Sequence, residues 1–475
     1  MKEDLALMER ALTELHPGLY RYNTKEEFAR KIADFEAKLN EPLREDRFFL
    51  LTAQLLSGIK CGHTYLNPYN QKKEIFERLI GRQTYIPFHF RFIDGFFVIT
   101  ENASEFDLPK GSAITSINGR TVDEIVQGLV SVSTADGDGT TLTRLRSVDL
   151  SRENGASYAH FDLYFPIFFP LDRPEFEIEA ISYRSKEKVR LKVPAMTKQE
   201  RTAAMEKKYG KTPGYDEGWS FKFLKDGTGY LKIDNFITWK LSIDYKRFLA
   251  DSFSRLKEAG ATDLIIDIRN SDGGDAGVVT ELLRYLHKDP FSCETGIRTF
   301  IRTAKADPEL LKYASVYDQD LKAALLNGVP KDRYKPAKNG LLEFLNGAVA
   351  CPETEPYADR FDGDVYLLTG PDNASAAFTL AKRVKEASLA TLVGRSTGGN
   401  LNGFNGGSYL FFNLPNSGFE FDIPVFAYHP ADSSQAKDSG IEPDVNAIST
   451  ASDAGEAFDR TLDKTLRLIK EKQAR

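Results

Sequence analysis

Cysteine is scarce: Cys61, Cys293 and Cys351 are the three in 475 residues. They lie far apart, match neither a C-x-x-C pair nor a zinc spacing, and an odd, sparse set excludes a disulfide framework. No metal site is expected from them. No apolar run reaches the length of a membrane helix. An excess of positive charge is also missing: the net charge is −6 and the pI about 5.8, so nothing electrostatic points to nucleic acid or an anionic membrane. Neither G-x-G-x-x-G nor G-x-x-x-x-G-K-[ST] occurs, which argues against a phosphate-cradling loop. The N-terminus is charged and helical, without a signal-peptide apolar region. Two readings follow: a cytoplasmic protein, or a periplasmic or secreted one whose leader was removed.

What is present is ordinary for a globular protein, 41% hydrophobic and 28% charged. The length calls for two or three domains. Aromatics are plentiful, with 33 Phe and 20 Tyr, which favours β-rich packing. Leu5, Met8, Leu12 and Leu15 recur at helix spacing, Pro17-Gly18 ends that helix, and Thr24 with Glu27 forms a capping box for a second. Residues 48–56 predict a third, so 1–80 reads as a helical module. Residues 81–196 turn β-rich, with alternation at Phe88 to Phe92, an Asp-Gly turn, and an Asn-Gly turn at Asn118-Gly119 before a short helix. A long insertion, 131–172, interrupts this region. Residues 197–217 read as a charged linker and 218–450 as an αβ domain. Residues 297–349 read there as a mostly helical insertion, a lid or an oligomer contact. Residues 451–475 close the chain as a helix.

Three segments carry chemistry. A buried-strand run at 365–369 leads through Gly370-Pro371-Asp372-Asn373 into a helix opened by Ala374-Ser375-Ala376. A serine at a strand-turn-helix junction faces free N–H groups that favour developing negative charge. Taken alone, such a serine is more often a plain N-cap. The buried strand 263–268 runs into Ser271-Asp272-Gly273-Gly274-Asp275, where consecutive glycines can expose backbone N–H groups to an oxyanion. His63, in Cys61-Gly62-His63-Thr64, stands between an apolar helix and a strand-like run, and imidazole is suited to accept a proton near neutral pH.

Together these segments resemble the C-terminal-processing (tail-specific) serine peptidase family. Residues 265–275, IIDIRNSDGGD, are similar to that family's D-L-R-x-N-G-G-G signature. Ala374-Ser375-Ala376 with 392–397 resembles its S-A-S-E and G-E-T blocks. Gly62-His63-Thr64 resembles the tricorn-like branch, as does Gly440-Ile441-Glu442-Pro443-Asp444. The 108–120 string resembles the second half of a PDZ domain, which binds peptide by strand addition. The resemblance implies a multidomain α/β and α+β protein: helical module, PDZ-like β domain, and crotonase/ClpP-like αβ catalytic domain. It implies Ser375 as nucleophile, His63 as base, Gly273, Gly274 and Ala376 as oxyanion donors, no cofactor, and a peptide or unfolded protein as substrate. Departures stand beside it. Asn400 occupies the lysine-base position of the tail-specific branch, and an amide cannot take the proton. Gly62 replaces a serine, which leaves Asp438 and Glu442 as candidates to orient His63. Asp272 replaces the first glycine of the triple-Gly signature. Two alternatives remain open here: a catalytically silent relative that binds peptide or an apolar ligand, and a crotonase-type acyl-thioester enzyme.

Overall fold

The computed structural model describes residues 1–68, 70–79, 84–151, 159–292, 296–345 and 353–474. Cys293 and Cys351 lie outside them; Cys61 is buried and free. The described residues form a mixed α/β architecture with three six-stranded sheets.

The N-terminal helices form where the apolar spacing predicts them. Lys2–Leu15 buries Leu5, Met8, Leu12 and Leu15 and stops before Pro17. Lys25–Lys38 opens with the Thr24/Glu27 capping box. Glu45–Ser57 buries Phe48 and Phe49. A further helix, Lys73–Leu79, was not anticipated.

The first sheet spans Phe88–Ile93 to Lys188–Pro194, with the amphipathic helix Val122–Val130 after its Asn118-Gly119 turn. The outer edge of Phe88–Ile93 is not open for a peptide to join. Phe90 exchanges both backbone hydrogen bonds with Leu150, at 2.8 and 2.9 Å, and Phe92 N–H donates to the Asp149 carboxylate. The expected linker is instead partly a capped helix, Lys198–Tyr209, whose Arg201 pairs with Asp162 in the interior.

The second sheet is antiparallel and centred on Phe404–Asn413 and Glu420–Pro430. The expected helical insertion at 297–349 contributes strands to it: Ile297–Ile301, Ala314–Ser315, Tyr334–Pro336 and Leu342–Phe344. Backbone pairing to a long neighbouring hairpin overrides the helical leaning of that stretch, which keeps only short helices.

The third sheet has a parallel centre. Gly229–Ile233, Asp263–Asp267, Asp364–Thr369, Thr391–Gly394 and Val445–Asn446 run side by side, with Trp219–Phe223 antiparallel at one edge. Helices Tyr245–Glu258, Ala276–Leu286 and Ser375–Glu386 cover one face, and Arg460–Gln473 covers the other. Adjacent parallel strands deliver their following loops to the same sheet edge, where α/β folds build their sites. The loops 268–275, 370–374 and 395–400 meet there.

Candidate active site

Asn373 ties these three loops together. Fully buried, it donates from Nδ2 to the carbonyls of Ile268 and Ser271, accepts Gly370 N–H at 2.8 Å through Oδ1, and accepts Gly398 and Gly399 N–H through its own carbonyl. Sequence reading had treated it only as a turn residue.

Ser375 follows two positions later as the first helical residue, with Ala374 in the N-cap position and no side-chain cap. The bland N-cap reading therefore does not hold. Its φ of 47° lies in the left-handed region, which a non-glycine residue enters only under constraint. Gly273, at φ 107°, packs directly on this turn. A Cβ there would sit 2.8 Å from Ala376 N and 3.0 Å from Ser375 Cβ, so only glycine permits the approach. Gly274 turns the other way: a Cβ there would sit 2.3 Å from the Phe236 carbonyl oxygen. Of the two glycines, Gly273 is the one that abuts Ser375 and Ala376.

Asp272 sits beside this loop. Burial, with the neighbouring Asp372 carboxylate adding repulsion, pushes its carboxyl up to about 6. The side chain nonetheless reaches solvent. Asp372 is itself held by Arg146 Nε at 3.2 Å.

His63 arrives on a loop that leaves the Glu45–Ser57 helix through Lys60, at φ 63°. Its ring lies between Phe404 and Tyr409, with centroids 6.5 and 6.0 Å away. Nδ1 is buried without a partner. Burial pushes the imidazole pKa down while Asp136 opposes that, so neutral His63 is available to accept a proton. No hydrogen bond joins His63 to Ser375. They are linked through rings: Phe404 contacts His63 on one side and, edge-on at 6.4 Å, Phe378 on the serine's own helix.

The acid nearest His63 is Asp136, which sequence reading missed. Only 2% exposed, it accepts Gly62 N–H at 3.1 Å, and a Cβ on Gly62 would lie 3.1 Å from its Oδ2. This explains the glycine: a serine at 62 would crowd that carboxylate. Burial raises the Asp136 pKa, opposed by His63, the Gly62 N–H, Arg21 and Arg144. The Asp-Gly-Asp-Gly run at 136–139, within the insertion, is the one local signal for it.

The two acids proposed to orient His63 lie elsewhere. The Asp438 carboxylate takes the N–H groups of Asp138 and Gly139 and the Asn400 amide. Glu442 is exposed, and its carbonyl accepts Lys385 Nζ. Neither contacts His63 among the described residues. Asn400, fully buried, bridges the Asp136 carbonyl at 2.9 Å and Asp438 at 2.7 Å. Where the tail-specific branch places its lysine, this chain has a tie between loops. No group of acids, histidines and cysteines suited to a metal occurs among the described residues.

A serine on a strained strand-to-helix turn with a glycine loop packed against it is the arrangement that an exposed nucleophile at a helix start requires. Residues 227–447, just under half of the chain, match the model of peptidase family S41. No curated protein matches the chain. Mature CPAF shares the fold over 99% of this chain and 96% of its own, at 15% identity and a TM-score of 0.62. CPAF complexed with lactacystin gives 15%, 99%, 97% and 0.62. The photosystem II D1 C-terminal processing protease overlaps 97% of this chain and 100% of its own, at 14% identity and a TM-score of 0.42.

Proposed function

We propose that the chain hydrolyses peptide bonds through an acyl-enzyme on Ser375. Ser375 Oγ attacks the scissile carbonyl carbon while His63 takes its proton. The new oxyanion accepts hydrogen bonds from Gly273 N–H and Ala376 N–H, while Gly274, turned toward Phe236, takes no part. His63 then gives its proton to the leaving amine, and the C–N bond breaks. Water, deprotonated by His63, attacks the ester and releases the acid and free Ser375. Asp136, rather than Asp438 or Glu442, faces the imidazolium formed in each half-reaction. The helical module 1–80 delivers the base and 218–450 the nucleophile, so the reaction draws on both ends of the chain. The substrate class is a peptide or an unfolded protein.

The observation that carries this reading is the left-handed Ser375 packed on Gly273, a costly arrangement with no structural use in capping the helix. Cleavage of a denatured protein tests it. S375A and H63A are each expected to abolish turnover while leaving the fold intact, and wild-type turnover by either variant would refute the assigned roles. The missing Ser375–His63 hydrogen bond favours one competing reading, a binding protein without hydrolysis. That reading predicts no turnover by the wild type and tight retention of uncleaved peptide. Catalytic hydrogen bonds in ligand-free enzymes often tighten only with substrate, so the geometry is compatible with turnover.

A further inference from the structure

Among the described residues, buried polar atoms without partners gather around His63: Arg21 Nε and Nη1, the Tyr22 hydroxyl, His63 Nδ1 and Asn405 Oδ1. Buried polar groups in folded proteins are nearly always paired, so such a gathering asks for a functional cause. The segment bearing Arg21 and Tyr22 is firmly held. His16 accepts Gly18 N–H at Nδ1, so Nε2 carries the proton and donates to Thr64 Oγ1 at 2.8 Å. Asn23 Nδ2 donates to the carbonyls of Gly58 and Ile59. Arg21 Nη2 reaches the Tyr428 carbonyl at 3.2 Å and His429 Nε2 at 3.0 Å. The guanidinium is thus fixed at one nitrogen and unsatisfied at two.

The unsatisfied side faces the Asp136 neighbourhood. Tyr22 Cε1 lies 3.0 Å from where a Cβ would stand on Gly137, the residue after Asp136. Arg21 Nη1 lies 3.2 Å from the same point on Gly403, whose neighbour Phe404 packs on His63. A buried carboxylate and a buried guanidinium are each costly alone and each relieves the other. We infer that Arg21 and Tyr22 are positioning residues that keep the Asp136 carboxylate charged and turned toward His63 Nδ1. The inference rests on the reading of His63 as the general base.

Other titratable groups surround this pair. Burial and the Arg21 charge push His16 and His429 down to about 3, so both stay neutral. Burial raises Cys61 to about 11 and Tyr22 further still. Arg144, Arg298 and Arg302 are the other basic side chains around these groups, and the side chains of Asp138 and Asp438 are exposed. Asp422, raised to about 7 beside Tyr65, and Asp272, raised to about 6 beside Ser375, titrate here too, so the proton taken up by the coupled Asp136–His63 pair is told from theirs by the D136N background. Removing a permanent cation makes that proton easier to bind, so the acid limb must move to higher pH.

The test is the pH profile of Ser375 labelling by a fluorophosphonate, in wild type, R21M, R21K, Y22F, D136N and R21M/D136N. R21M is expected to move the acid limb up by about one pH unit, a loss of about tenfold on that limb. R21K should restore most of it, and Y22F should shift the limb in the same direction by less. In the D136N background, R21M should change labelling less than about twofold, because the group it acts through is gone. A folded R21M with an unmoved limb overturns the inference, as does an equal loss in both backgrounds. Should R21M fail to fold, R21K and Y22F decide by the same limb. H63A is run alongside: labelling at the wild-type rate there sinks the base assignment itself, a distinct outcome.

Discussion

Asp422 lies in the strand Glu420–Pro430, its N–H bonded to the Tyr65 carbonyl just beyond His63. Its Oδ2 accepts Asn67 Nδ2 at 3.0 Å, while Oδ1 is buried without a partner. Burial pushes the carboxyl up from 3.8 to about 7. Between those values the unfolded chain has given up a proton that the folded chain keeps. Stability is therefore full below pH 3.8 and declines as pH rises through about 7, by at most about 1.4 kcal/mol per pH unit. D422N is expected to flatten that decline, checked by urea unfolding at pH 5 and 8; equal slopes for both proteins would contradict it. Among single residues, the strand-turn-helix junction at Ser375 and the close glycine approach at Gly273 were legible, because turn and glycine signals are local. Asp136 was not. Its relation to Gly62 spans 74 positions and exists only once the PDZ-like region folds against the helical module.

At the scale of elements, the site depends on three loops held in register by one amide. Replacing Asn373 by alanine would leave the Ile268 and Ser271 carbonyls and the Gly370 N–H without their partner. N373A should cost about 2–4 kcal/mol by the usual penalty for stranded buried groups. It should also slow Ser375 labelling by about tenfold or more, since sub-ångström placement of donors controls such sites. Thermal unfolding and labelling rate measure the two effects, and wild-type labelling would show that the loops hold register without it. Parallel strands and capping boxes were readable because period and cap chemistry are local. The helix Lys198–Tyr209 passed as linker since only Arg201 and Met205 of it are buried, too little apolar patterning to register. The strands Ile297–Ile301 and Ala314–Ser315 depend on pairing with partners about a hundred positions away, which no local signal carries.

Across the whole molecule, the cores do not follow the expected 1–80, 81–196 and 218–450 divisions. One continuous core joins the N-terminal helices, the PDZ-like sheet and the antiparallel sheet, while the parallel-centred sheet keeps its own on each face. Phe419 shows the junction: its ring stacks on Phe48 at 5.7 Å and meets Phe49 edge-on at 5.2 Å. F419A should cost about 3–5 kcal/mol, and the helical module and antiparallel sheet should still unfold together. Two separated calorimetric transitions for these parts would contradict the shared core.

The most direct measurement is mass spectrometry of the protein after exposure to a fluorophosphonate. The account predicts one adduct, on the peptide containing Ser375, lost in S375A and strongly slowed in H63A. An unlabelled Ser375 in the folded wild-type protein, or labelling unaffected by H63A, would contradict it.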